Sequence, residues 1–227
     1  MLEPWRTFPR LYELFEKSNQ AHRDNYFVCC RNTLSYDLAP ECYAKLENRL
    51  SLLSVSAWEA LRSKALPYID KKRDGIIWSQ LFDTLNEAYG YELLLNAGYE
   101  KEDIEFIQSS RRAPDLKGSR MDESTLVEVK TINYSDREIK RPQSPPQLIR
   151  VNYEMPPPLI TQIESTVTEA VKQLNSYCDT AQYNKIVLVL LSLDSDIQRG
   201  NELDSQIRDI KSKYLGCEVE IKIINEI

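Results

Sequence analysis

Ala113-Pro114-Asp115-Leu116-Lys117-Gly118 and, a short way on, Leu126-Val127-Glu128-Val129-Lys130-Thr131 are the two segments on which the reading of this chain turns. Alternate side chains of a strand share a face, so Glu128 and Lys130 project to one side and Val127 and Val129 to the other. A carboxylate and an ammonium thereby stand side by side in an otherwise apolar run. If the strand that follows Pro114 pairs with this one, the Asp115 carboxylate converges on the same spot. Two acidic oxygens beside a lysine suit a hydrated Mg²⁺.

The Glu-x-Lys spacing alone carries little, because Glu138-Ile139-Lys140 and Glu220-Ile221-Lys222 repeat it. Context sets Glu128 apart. Two charges within a central strand cost free energy unless they serve a metal or a partner, and helices predicted on both sides imply a covered sheet. The competing reading is a half-exposed strand with a surface Glu/Lys pair.

Outward from these segments the pattern is ordered. A helix is predicted from about Trp78 to Asn96, closed by Ala97-Gly98-Tyr99. Short strands follow at Ile104–Ile107, Pro114–Lys117 and Leu126–Ile132, close enough in sequence for an antiparallel meander. Asp136 to Pro158 holds six prolines and reads as an irregular connection. Then come a helix from Ile160 to Tyr177, a continuous apolar strand from Lys185 to Leu191 that suits a buried parallel position, a helix at Leu203–Tyr214 and a strand at Glu218–Ile224. The later strands need helical crossovers. The expected architecture is α/β: a mixed central sheet, three-strand antiparallel meander plus parallel crossover strands, flanked by helices.

Residues 1–74 read as an N-terminal helical region, with helices at Arg10–Lys17, Cys42–Leu53 and Ala57–Ala65, the last ending before Pro67. The polar turn Asp70-Lys71-Lys72-Arg73-Asp74-Gly75 marks a boundary, leaving 75–227 as the second domain. The N-terminal helices would pack on the core, on a second copy in a homodimer or on another protein.

Composition excludes several classes. The only histidine among 227 residues is His22, so two-histidine chemistries are out. Five cysteines at unpatterned spacing read as buried, reduced thiols rather than a zinc site or a disulfide framework. No apolar run approaches the roughly 18 residues of a membrane span, and the first residues lack an apolar signal core. The expectation is a soluble, cytoplasmic protein without a membrane partner. The formal net charge is −6, yet from Arg111 to Arg150 nine basic residues outnumber six acidic ones. A local positive zone fits a polyanionic substrate.

With that element order and those residues, the sequence resembles the PD-(D/E)xK nuclease superfamily, of restriction-endonuclease-like fold, over about Ile76 to Ser192. The resemblance implies a Mg²⁺-dependent nuclease, with Mn²⁺ as a substitute, hydrolysing phosphodiester bonds of nucleic acid, DNA before RNA. It makes Asp115 and Glu128 metal ligands and Lys130 the catalytic lysine. The superfamily often adds an acidic residue on the first helix; Glu87 is the choice here, with Asp83 and Glu92 as competitors. Gln173-Leu174-Asn175-Ser176-Tyr177 resembles the Gln-x-x-x-Tyr element of RecB-like branches, so Gln173 and Tyr177 are candidate substrate-binding residues. Lys140 and Arg141, in the Pro-rich loop, could close over the nucleic acid. The alternative is a catalytically weak or inactive nucleic-acid-binding or assembly module that keeps the fold.

Overall fold

The computed structural model describes residues 3–30, 39–70, 72–73, 76–108, 113–121, 123–133, 154–177, 183–192, 201–215 and 219–224. Lys140, Arg141 and the rest of the Pro-rich loop up to residue 153 lie outside them. In chain order the elements are α1 (Pro9–Lys17), α2 (Tyr26–Cys29), α3 (Ala39–Ser51), α4 (Val55–Ile69), β1 (Lys72–Arg73), β2 (Ile76–Ile77), α5 (Ser79–Leu85), α6 (Ala88–Asn96), β3 (Ile104–Phe106), β4 (Leu116–Arg120), β5 (Glu123–Asn133), α7 (Pro157–Tyr177), β6 (Tyr183–Ser192), α8 (Asn201–Ser212) and β7 (Glu220–Ile224). The expected α/β architecture is present: a mixed five-stranded sheet in the order β3-β4-β5-β6-β7, flanked by helices and preceded by an N-terminal helical region. The backbone gathers into two compact units, Met1–Gln108 and Ser109–Ile227. No helix of the described residues is long and apolar enough to cross a membrane.

In the first unit an aromatic cluster forms around Trp5, which meets Phe27 and Tyr43 edge-on at 5.1 and 4.9 Å between ring centroids. Such edge-to-face pairs add to the area they bury. Helix α1 begins at Pro9, whose missing N–H costs nothing at that position. The next two amides, Arg10 and Leu11, donate to the buried carboxylate of Glu47 on α3 at 2.8 and 3.1 Å. A neighbouring helix therefore supplies the cap that Phe8, the residue at the N-cap, does not. Helix α4 packs on α5 and β3.

Two helix boundaries differ from expectation. Helix α4 runs through Pro67 to Ile69, because Ala65 and Ile69 are both fully buried and hold the last turn in place. Pro67 itself faces solvent, where water can satisfy the carbonyl it leaves without a donor. The long helix expected over Trp78–Asn96 is two, broken at Asn86-Glu87. Glu87 N–H donates to the Thr84 carbonyl at 3.1 Å and Gly90 N–H to the Glu87 carbonyl at 2.9 Å, three-residue bonds that tighten the chain between α5 and α6.

In the second unit β4 and β5 form an antiparallel hairpin, Leu116 opposite Val127, while β6 runs parallel to both β5 and β7. Val187 through Leu191 are wholly inaccessible to solvent, as a strand covered on both faces requires. Helix α7 crosses β5 and β6, burying Leu159, Ile163, Val167, Ala170 and Leu174 along one stripe of helical period. It starts earlier than expected, at Pro157 and Pro158, since prolines fit a first helical turn. The expected burial of the cysteines is not found among the described residues, and Cys178 and Cys217 lie outside them. Cys29, Cys30 and Cys42 are thiols, but Cys29 and Cys42 are exposed.

Candidate active site

The pleat of β5 carries the candidate site. Glu128 and Lys130, two apart, share a face, and the Lys130 Nζ lies 2.5 Å from Glu128 Oε1. The two differ in depth: Glu128 is 1% exposed, whereas the Lys130 side chain keeps 31% of its surface in solvent. The half-exposed surface pair is thus excluded for Glu128. Its carboxylate lies beneath the sheet surface, in register with Val187 of the fully buried strand, and the lysine covers it from the solvent side.

Asp115 stands just ahead of β4. Its N–H donates to the Val127 carbonyl at 3.0 Å and its Oδ2 accepts the Val129 N–H at 2.9 Å. One residue therefore takes up backbone groups of β5 on both sides of Glu128, which fixes the carboxylate against the strand that carries the Glu/Lys pair. The side chain continues the ladder past the point where the β4 backbone leaves it.

Burial alone would push the Lys130 ammonium toward neutrality. The charge of Glu128 and its hydrogen bond outweigh that, and Asp115 and Glu169 add to it, so the pKa lies above the ordinary lysine value. Lys130 is thus a persistent cation near neutral pH, under the influence of three carboxylates. Glu169, on the exposed face of α7, is the one the sequence reading missed. Its spacing offered a signal: 169, 173 and 177 recur every four residues and share a helix face.

Gln173 Nε2 donates to the Ala113 carbonyl at 2.8 Å, pinning α7 to the segment that leads into Asp115. Tyr177 is largely exposed. Of the first-helix carboxylates, Glu87 is buried and grips Lys64 of α4, with Nζ 2.7 Å from Oε1 and 2.8 Å from Oε2. Glu92 is held by Arg49 Nε at 2.7 Å. Among the described residues no three His, Cys, Asp or Glu side chains gather closely enough to hold a metal as they stand. Asp115 and Glu128 nonetheless offer the hard oxygen donors that Mg²⁺ prefers.

The same Glu-x-Lys spacing recurs at Glu220 and Lys222 on β7, where Nζ and Oε1 are 3.3 Å apart but the glutamate side chain is 61% exposed. Sequence spacing makes the pair; sheet position buries it. His22 sits in a turn, its Nδ1 accepting the Asp24 N–H at 3.2 Å, a local structural bond.

No family model and no curated protein matches the sequence. Among solved structures it is similar to SfsA of Pyrococcus furiosus in complex with Ca²⁺, at 14% identity and a TM-score of 0.29, over 66% of this chain and 59% of that one. The likeness spans less than two thirds of that protein's length, and at such a TM-score it carries no argument.

Proposed function

We propose that the chain is a metal-dependent nuclease of the PD-(D/E)xK kind, hydrolysing phosphodiester bonds of nucleic acid, DNA before RNA. The observation that supports this best is the buried Glu128 carboxylate under the Lys130 ammonium, beside an Asp115 carboxylate anchored to Val129. A buried charged pair contributes little to stability against apolar residues of similar size, which supports a role for this one in chemistry.

In this reading Asp115 and Glu128 hold Mg²⁺ or Mn²⁺. The bound ion supplies polarisation of a phosphoryl oxygen and a more acidic water. Lys130, a firm cation, is unsuited to act as a base near neutral pH; it orients the nucleophilic water or stabilises charge that develops on phosphate. Gln173 holds the Ala113 carbonyl and with it the entry to Asp115. Tyr177, Lys140 and Arg141 are assigned to substrate. The nuclease domain spans 75–227, and the helices of 1–74 serve a homodimer or protein partner.

One observation favours the second reading, an inactive assembly or nucleic-acid-binding module: Lys130 already neutralises the Glu128 oxygen that a metal would use. Cleavage of linear, circular and single-stranded DNA with Mg²⁺ or Mn²⁺, for the parent chain beside Asp115→Asn and Lys130→Ala, decides between them. Metal-dependent cleavage lost in both variants supports the nuclease. Cleavage unchanged in both rejects the site.

A further inference from the structure

The contact between Lys130 and Glu128 poses a chemical problem for any cation-binding role of Glu128. An ammonium 2.5 Å from Oε1 and a divalent ion on the same carboxylate repel one another, so the lysine needs another anion to turn to. Asp115 does not provide one, being committed to the Val129 amide and, in the nuclease reading, to the same ion.

Helix α7 presents the remaining carboxylate. It lies across β5 and β6, and Gln173 fastens it to Ala113, two residues ahead of Asp115. Glu169 is one turn before Gln173 on the same face, and its charge acts on the Lys130 ammonium. It is exposed, so a rotamer change toward Lys130 costs little desolvation. Among the described residues its carboxylate enters no hydrogen bond or salt bridge. Glu164, an exposed-side neighbour on α7, is instead engaged by Lys213.

We propose that Glu169 is a positioning residue that receives the Lys130 ammonium when a divalent cation occupies Asp115 and Glu128. It acts through the lysine and touches neither the ion nor the substrate. The ammonium alternates between two carboxylates: docked on Glu128 without the ion, and drawn toward α7 with it. There it stays near the reacting phosphate while the Glu128 oxygens are released. This inference rests on the nuclease reading.

The test measures Mn²⁺ binding to the full chain by electron paramagnetic resonance, with cleavage assayed in parallel, for Glu169→Gln, Glu169→Asp and the control Glu164→Gln. Glu169→Gln should weaken Mn²⁺ binding about two- to fivefold, the effect of one exposed ion pair, and slow cleavage by a similar factor. Glu169→Asp should restore most of both, and Glu164→Gln should change neither. Unaltered Mn²⁺ affinity in Glu169→Gln overturns this inference alone if the parent binds Mn²⁺ and Asp115→Asn abolishes cleavage. An equal loss in Glu164→Gln also overturns it, by exposing a general effect of charge. A parent chain that binds no Mn²⁺ overturns both the inference and the reading beneath it.

Discussion

The Asp115 carboxylate accepts the Val129 amide at 2.9 Å, across the hairpin and next to Glu128. A residue assigned to chemistry thus also completes a β-ladder, and the two roles separate by substitution. Asp115→Asn keeps an oxygen for the amide and should cost under about 1 kcal/mol of stability, whereas Asp115→Ala orphans that N–H and should cost about 1 to 3 kcal/mol. Both should abolish metal-dependent cleavage. Urea denaturation read beside the cleavage assay checks the pattern.

Glu128 and Lys130 should respond unequally. Glu128→Ala leaves a lysine that can extend into solvent. Lys130→Ala leaves a buried carboxylate without its ammonium and should cost about 2 to 4 kcal/mol at neutral pH. The sign with pH follows from linkage. Without the lysine, burial raises the Glu128 pKa in the folded state above its unfolded value, so the stability contributed is full at low pH and lost as pH rises through the folded pKa. The deficit of Lys130→Ala relative to the parent should therefore shrink on acidification toward about pH 4. A deficit independent of pH contradicts the buried-charge account.

Lys64 meets both oxygens of the buried Glu87. Lys64→Met should destabilise the chain by about 1 to 3 kcal/mol, and Glu87→Gln by about 1 kcal/mol, since the amide retains one acceptor. Thermal unfolding measures both. A Mn²⁺ titration of Glu87→Gln then separates the tasks: weakened binding makes Glu87 a ligand, and unchanged binding confines it to holding Lys64.

Glu47 makes a prediction for acid solution. Burial raises its pKa above the ordinary 4.5, and the amides of Arg10 and Leu11 with the Arg10 charge offset this only in part. A folded pKa above the unfolded one means that its contribution to stability is full below the unfolded value and declines as pH climbs through the folded one. Glu47→Gln lacks this titration. Relative to that variant, the parent should lose stability as pH rises above the ordinary glutamate range, measurable as a shift in urea midpoints.

Strands β5 and β6 were legible in the sequence because their signals are strong and local: two charges alternating within a valine-rich run, and an unbroken apolar stretch bounded by Lys185. The break at Asn86-Glu87 was not. No proline or glycine marks it, and its Glu87 is engaged by Lys64, a residue 23 positions away. Pro67 and Pro157 misled for opposite reasons. One sits inside a helix because burial of Ile69 overrides it; the other starts a helix, where proline fits. Glu169 escaped notice because a carboxylate on an exposed helix face looks the same whether it faces bulk water or a lysine on the strand below. The same ambiguity makes Glu128 and Glu220 alike in sequence, although one lies on an inner strand and the other at the sheet's edge.

The buried run Val187–Leu191 has a consequence during synthesis. It is uncharged and free of proline and glycine, and its parallel neighbours are β5, more than fifty residues upstream, and β7, which is synthesised after it. Until β7 emerges, one side of this strand is an open template of the kind that seeds aggregation. Lys185, which ends tied to Asn175 of α7 at 2.9 Å, is the charge at the head of that run, where a gatekeeper residue would stand. Lys185→Val should lower the soluble yield of the chain more than it lowers the stability of the folded protein.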